Sequence, residues 1–265
     1  KDYVAYGSLL QSYTGWNSIS GYPDREPVTG GLWADPWVGM ELAMVTAAAL
    51  NNRAATGQGQ YVDFSMAEAL SATIPEAILD YQMNGRTKEP LGNRDDWHAP
   101  HGVYHCSGAD RWVAIAVTND EEWNSLCRLI ERPDLAADSS LTNAAGRREH
   151  QDQLDAAITQ WTSQFEDHEA TKLLQGAGIP SGPSLDILRV SHEPQLSKSG
   201  YFASLRTSDG TVRDMPGLPW CFDGGQRPNL TEAPVLGQHN TYVYNELLGI
   251  SGPELDRMVK DQVIY

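Results

Sequence analysis

The residues whose types could do chemistry lie in three stretches. NRDDWHAPHGVYH, residues 93–105, carries Trp97 with His98, His101 and His105. Clustered imidazoles can ligate a metal or pass protons. A metal would need a third or fourth ligand, and none is identifiable. The three cysteines, Cys106, Cys127 and Cys221, are far apart and odd in number. They fit neither a zinc site nor a disulfide framework and suit a reducing cytoplasm, so no metal site is expected. The second stretch is Asp35-Pro36, at the head of a long apolar segment, where a carboxylate can cap a helix or face a cleft. The third is GSLLQSYTG, residues 7–15. Tyr6 and Ser8 offer hydroxyls there, but no base that would activate either is visible nearby.

These stretches sit in a chain of 265 residues, enough for one large domain or two smaller ones. It starts at Lys1 with neither methionine nor a visible leader, and no run approaches the ~20 apolar residues of a membrane span. The formal charge of −16 repels nucleic acid and anionic membranes, and no basic stripe or phosphate-binding GxxxxGK is present. Neither kind of partner is expected.

Residues 1–16 place Leu9, Leu10 and Tyr13 at helical spacing, and 21–31 form a Gly- and Pro-rich turn. Residues 34–53 predict a strong helix, capped by Asp35 with Pro36 in its first position. Gly39, Ala43 and Ala47 give it a small-residue packing face. A glycine turn at 56–59 leads to a short strand over 60–64, with Val62 and Phe64 on one face. Ser65 and Glu68 form a capping box for a helix to about Met83, which Pro75 should kink or interrupt. Helix, glycine turn, strand and capped helix suggest part of a parallel α/β sheet. The texture then changes. Residues 103–117 read as a hairpin turning at SGAD, with Ala114 and Ala116 leaving room above the strand. Helices are predicted over 120–131, stopped by Pro133, and over 144–163 and 167–176, and IPSGPSLDILRV is a turn followed by a short helix. Residues 201–215 predict a hairpin turning at Ser208–Gly210. Two helices close the chain, the second box-capped by Ser251 and Glu254 with Pro253 in its first turn.

Three blocks, TGQGQYVDFSMAEA, GNRDDWHAPHGVYHCSGADRWVAIAV and LGQHNTYVYNELLGISGPELDRMVKDQVI, resemble successive signatures of the class III CoA-transferases. This CaiB/BaiF family includes formyl-CoA and carnitine CoA-transferases and α-methylacyl-CoA racemases. The resemblance runs along nearly the whole chain, most loosely from 133 to 230. It implies an α/β fold: the C-terminal part of a Rossmann-like large domain, from residues 1–90 and 191–265, around a small α+β domain at 91–190. It further implies an interlocked dimer, and a preceding segment or second subunit of the same family carrying most CoA contacts. Coenzyme A enters as a substrate, beside an acyl-CoA and a carboxylic acid, and no cofactor is implied.

In the family a nucleophilic aspartate stands four residues before the glutamine of a D-x-x-x-Q-A-x-S-G-like stretch. That glutamine matches Gln11, so the acid's position falls on Gly7. Asp2, the nearest acid, is five residues too early. The resemblance therefore leaves open a CoA-transferase with no identified catalytic residue, or a non-catalytic scaffold or half of a two-unit enzyme. Asp35 matches an aspartate that faces the substrate cleft in the family, against the alternative of a plain helix cap. Residues 93–104 match the family's mobile active-site loop. Here that loop has only Gly92 and Gly102, with Trp97, His98 and His101 between, so it should be stiffer and suited to a bulky acyl group. The substrate-binding set expected is thus Asp35, Pro36, Trp97, His98, His101 and Gly102. Racemases place an acid near Gly102 and Val103, which weakens that alternative.

Overall fold

The computed structural model describes residues 5–264 apart from 208, 226, 228 and 229. It divides into two units, Lys1–Ser184 and Leu185–Tyr265.

The first unit opens with four helices: α1 (Gly7–Tyr13), α2 (Ala34–Thr56), α3 (Met66–Ser71) and α4 (Pro75–Asn84). Leu10 from α1, Ala34 and Val38 from α2, and Ala69 and Leu70 from α3 bury one another, with Trp33 and Phe64 packed at the edge. Of the three apolar residues at helical spacing in α1, only Leu10 is buried, while Leu9 and Tyr13 are exposed. The helix expected from Ser65 is two helices. Ser65 caps the first, its Oγ accepting the Glu68 N–H at 3.3 Å. The break falls before Pro75, whose ring and missing N–H cannot continue a preceding turn, so it starts α4 instead.

Three further expectations need correction here. First, α2 begins at Ala34 rather than after Asp35, and no side chain caps it. Asp35 and Pro36 lie inside its first turn, and the Asp35 carboxylate points to α1, as described below. Second, residues 60–64 alternate in burial as a strand would, but they pair with no strand among the described residues. A strand needs a ladder partner, and every pairing described is antiparallel. Third, nothing among the described residues packs on the face formed by Gly39, Ala43 and Ala47, all of which are exposed.

The rest of this unit surrounds a three-stranded antiparallel sheet in the order β1 (His101–His105), β2 (Trp112–Ala116), β3 (Ser181–Ser184). The hairpin is the expected one, closed by the Cys106 N–H to Arg111 O at 2.8 Å. The third strand stands where a turn is expected, since Gly182-Pro183 is turn chemistry. At a sheet edge a proline's missing N–H can face away from the ladder, and β3 is an edge strand. Register separates two faces. Gly102, Tyr104, Val113 and Ile115 share the core face, while His101, Val103, His105, Trp112, Ala114 and Ala116 share the other.

Against the core face lie residues of α5 (Asp120–Leu129), α8 (Gln151–Thr162) and α9 (Asp167–Gly176). Pro133 does more than stop α5, since it occupies the first turn of a short α6 (Pro133–Ala137). The helix expected over 144–163 is broken into α7 (Ala144–Glu149) and α8 by His150, at φ −106° and ψ 17°. The His150 ring turns back onto the Gly146 carbonyl at 2.9 Å.

In the second unit come α10 (Ile187–Ser191), α11 (Pro194–Lys198) and a hairpin of β4 (Phe202–Arg206) and β5 (Val212–Pro216). Ser208, where the turn was expected to begin, lies outside the described residues, and Gly210 has φ +85°. A π-helical segment, Thr241–Leu247, precedes α12 (Gly252–Lys260). Ser251 stands at the N-cap of α12 but makes no side-chain cap bond. Pro253 offers no N–H, and the Glu254 N–H is taken by the Ser251 backbone carbonyl at 3.0 Å, so the expected box does not close. Among the described residues, no helix is long and apolar enough to cross a membrane.

One buried cation joins the parts of the sheet unit. Arg147 in α7 is 1% exposed. Its Nε donates to Ala99 O at 2.8 Å and its Nη1 to Leu141 O at 3.2 Å, and Nη1 faces Asp120 Oδ1 at 2.9 Å. The guanidinium also lies 5.4 Å from the Trp123 ring centroid. Arg147→Ala should lower the unfolding free energy by about 3 kcal/mol or more, because each stranded buried carbonyl costs roughly 1–3 kcal/mol. Asp120→Asn removes only a largely exposed partner and should cost under about 1 kcal/mol. Chemical denaturation of the two variants checks the contrast.

Candidate functional site

The first candidate position is where α1 meets α2. Gly7, Leu10 and Gln11 recur at helical spacing and are the buried residues of α1. The Gln11 amide is used at both ends: Nε2 donates to Gly31 O at 3.0 Å, and Oε1 accepts the Gly30 N–H at 2.8 Å. This clamp fixes the turn that leads into α2 and so brings Asp35 to Gly7. A Cβ on Gly7 would lie 2.5 Å from Asp35 Oδ1 and 3.2 Å from its Cγ. The carboxylate occupies the volume that any side chain at position 7 would enter. Asp35 itself is exposed, as is Pro36 beside it. Asp2 lies outside the described residues.

The second candidate is the loop leading into β1. Asp95 organises its tip, with Oδ1 accepting the N–H of Trp97 and of His98 and facing His98 Nδ1, each at 2.8 Å. Burial pushes the Asp95 carboxyl up, but the two backbone N–H groups and the His98 ring outweigh it and hold the group below the usual carboxylate value. The Trp97 ring is left 76% exposed. At the loop's other end, the Gly92 N–H donates to Gly21 O at 2.8 Å and Asn93 Nδ2 to Tyr22 Oη at 2.9 Å. Gly92 must be glycine twice over. Its φ is +62°, and a Cβ would meet the Tyr22 ring at 2.6 Å.

His101 Nδ1 lies 2.7 Å from Asn93 O, so the ring carries a proton there and donates it. Arg94 reaches back to α8, where it pairs with Asp152 and, at 3.0 Å, with Asp155. Asp155 also accepts the Tyr104 hydroxyl at 2.9 Å. Burial first, and the Asp155 charge second, push the Tyr104 phenol well above its ordinary value. The loop is thus held at both ends, with Trp97 and His98 at an exposed tip.

The expected residues fall into two groups: Gly7 with Asp35 and Pro36, and Trp97, His98, His101 and Gly102 along the loop and β1. The three histidines do not converge. His98 is held by Asp95 and His101 by Asn93, while the His105 ring meets Trp112 edge-on at 5.0 Å. Gly102 faces the core, where a Cβ would lie 3.0 Å from the Tyr104 ring. Ala114 and Ala116 do leave room: with His101, Val103 and Gly182 they line a groove of about 440 Å³ on the open side of the sheet. Arg94, Asp95 and Arg147 were not singled out by sequence. The Asp95 turn had a signal, an acid two residues before Trp97, whereas the partners of the two arginines lie too far along the chain to be read locally.

The Asp95 geometry sets a pH dependence. A carboxyl held below its ordinary value of 3.8 favours the ionised, folded form. That stabilisation is complete above this value and is lost as pH falls below it. Wild-type stability should therefore fall more steeply than that of Asp95→Asn between about pH 5 and pH 3. Denaturation series across that range measure the two slopes.

Comparison with known proteins accords with this architecture. Residues 1–240 match the sequence profile of CoA-transferase family III. Succinyl-CoA–D-citramalate CoA-transferase of Chloroflexus aurantiacus is 27% identical over 100% of this chain and 66% of its own length. Formyl-CoA:oxalate CoA-transferase of Shigella sonnei is 28% identical over 98% of this chain and 67% of its own. A CaiB/BaiF family protein from Brucella suis superposes with a TM-score of 0.80 at 24% identity, covering 92% of this chain and 63% of that one. The chain thus spans about two thirds of the length of these relatives. A mixed α/β chain matched along this much of the profile, through both the Gly7–Asp35 contact and the loop before β1, belongs to CoA-transferase family III.

Proposed function

We propose that the polypeptide transfers coenzyme A between an acyl-CoA thioester and a carboxylic acid through a carboxylate-linked intermediate. The observation that carries this reading is the family match from residue 1 to 240, which includes both candidate positions. Coenzyme A is a substrate here, and the chemistry calls for no cofactor. A carboxylate suits the reaction because it can attack a thioester carbonyl and leave again.

Several finer features belong to the same reading. The Rossmann-like large domain is built from residues 1–90 and 191–265, the small domain from 91–190, and two subunits interlock. A segment or subunit of the same family outside these residues supplies most contacts to the phosphates of CoA, and the compartment is the cytoplasm. Asp35 and Pro36 face the substrate from one side, while Trp97, His98, His101 and Gly102 border the acyl group from the loop. The bulk of Trp97 favours an aromatic, steroidal or branched acyl chain. Gly7 also favours a second reading, in which this unit is a scaffold and a partner holds the nucleophile.

The full-length polypeptide should be incubated with acyl-CoA donors, succinyl-CoA among them, and a panel of carboxylic acids, and followed by liquid chromatography. The expected result is a new acyl-CoA formed without release of an equal amount of free CoA. No transfer until a second family polypeptide is added would establish the scaffold reading. Solvent deuterium entering the α-position without transfer would instead identify a racemase.

A further inference from the structure

We infer that Tyr22 is a positioning residue: through its bond to Asn93 it couples the loop before β1 to the corner where α1 meets α2, so that each holds the other in register. The inference rests on the CoA-transferase reading, in which both positions serve one transfer. It goes beyond that reading by naming the side chain that ties them together.

Residues 20–33 join the 3₁₀ turn Trp16–Ile19 to α2. This strap is held at both ends by different partners. At its near end Gly21 O accepts the Gly92 N–H at 2.8 Å, and Tyr22 Oη accepts from Asn93 Nδ2 at 2.9 Å. At its far end the Gln11 amide grips Gly30 and Gly31, and α2 follows with Asp35 against Gly7. Between the two ends the strap is folded onto itself. Gly21 has φ +105°, and a Cβ there would lie 3.2 Å from Val28 Cγ2. The Arg25 N–H donates to Tyr22 O at 3.2 Å, and the Arg25 guanidinium lies 5.4 Å from the Tyr22 ring centroid. A strap packed in this way passes a displacement of one end to the other, where a slack one would absorb it.

The loop side of the bond is built to match. Asn93 spends its side chain on Tyr22 and its backbone carbonyl on His101 Nδ1, at 2.7 Å, and His101 O accepts from Gln151 Nε2 at 2.9 Å. Asn93 thus stands where the loop leaves the strap and where it is closed against β1. Ring and hydroxyl of Tyr22 have separable roles. The ring fills the space over Gly92, where a Cβ would meet it at 2.6 Å, and the hydroxyl fixes Asn93. Register between two groups that serve one reaction carries a large rate effect, since a misplacement of about 1 Å can cost roughly 10²-fold.

The test compares full-length wild type with Tyr22→Phe, Asn93→Ala and the double variant, by hydrogen exchange and by steady-state transfer from succinyl-CoA to an acceptor acid. Tyr22→Phe keeps the ring and removes an exposed bond, so its unfolding midpoint should stay nearly unchanged. Each single variant should speed exchange in peptides covering 28–37 as well as 90–99, by about threefold or more, within the range of one net hydrogen bond. The double variant should add nothing further, because both singles break the same bond. In transfer, kcat should fall roughly 5- to 20-fold with KM within about twofold, a split that a loss of stability alone would not produce. Faster exchange confined to 90–99, or additive effects in the double variant, overturns the coupling, and an active Tyr22→Phe with wild-type kcat overturns the positioning role. Either outcome leaves the CoA-transferase reading standing. A wild type that transfers no CoA overturns that reading, and exchange at 28–37 then decides the coupling by itself. Should Tyr22→Phe not fold, Asn93→Ala decides in its place.

Discussion

The approach of α2 to α1 at Gly7 is the contact on which the first candidate position depends. Two helices come this close only where one of them carries no side chain, and the residue that uses the space is a carboxylate rather than an alkyl group. Gln11 makes the approach reproducible. A primary amide can donate and accept at once, and here it does both to one turn of backbone, leaving neither end unpaired in a buried setting. The apolar cluster of Leu10, Ala34, Val38, Ala69 and Leu70 is small. Much of the definition of this region therefore comes from hydrogen bonds and steric fit rather than from buried area.

The sheet unit solves a different problem. Its loop presents Trp97 to solvent beside a half-buried His98, and an exposed tip keeps a fixed shape only if its ends are held. Gly92, Asn93 and Arg94 tie one end to the 21–22 turn and to α8, and Arg147 ties the other through Ala99. The anchors differ in strength. The Arg147 bonds are buried and go to carbonyls with little alternative, whereas the Arg94 pairs are part-exposed and individually weak. The firmer end of the loop is accordingly the one that enters β1.

Much of this architecture was legible in the sequence where local chemistry decides the outcome. SGAD between alternating apolar runs makes a hairpin, Ser65 three residues before Glu68 starts a helix, and Pro75 ends what precedes it. The sequence misled where a residue's role depends on something distant. Asp35 before Pro36 has the form of a helix cap, but the space opened at Gly7, far back in the chain, draws the carboxylate elsewhere. Gly182-Pro183 reads as a turn because local propensity cannot show that a sheet edge is free beside β2. A charged residue such as Arg147 is not a core candidate by type, and only the Ala99 and Leu141 carbonyls, brought together by the fold, make its burial favourable. Ser251 and Glu254 match a capping box in spacing, but the Glu254 N–H goes to the Ser251 backbone carbonyl and the Ser251 hydroxyl makes no cap bond.

The chain is acidic, and several of its cations are engaged within the fold. The sequence has 19 Lys and Arg against 35 Asp and Glu. Arg86, Lys88, Arg94, Arg132, Arg147 and Arg257 already face carboxylates within the fold. Cations engaged in this way are poorly placed to bind a polyanion, since a phosphate would have to displace an existing partner. Exchange of CoA between two acids makes no such demand on the acyl end. Each step replaces one anion by another, carboxylate for thiolate or thiolate for carboxylate, so the total charge of the reacting groups is constant and no proton must be delivered. Histidines with structural partners, as His98 and His101 have here, are then no obstacle to the chemistry. What the proposed transfer would need from these residues is a positioned carboxylate beside an acyl-sized space.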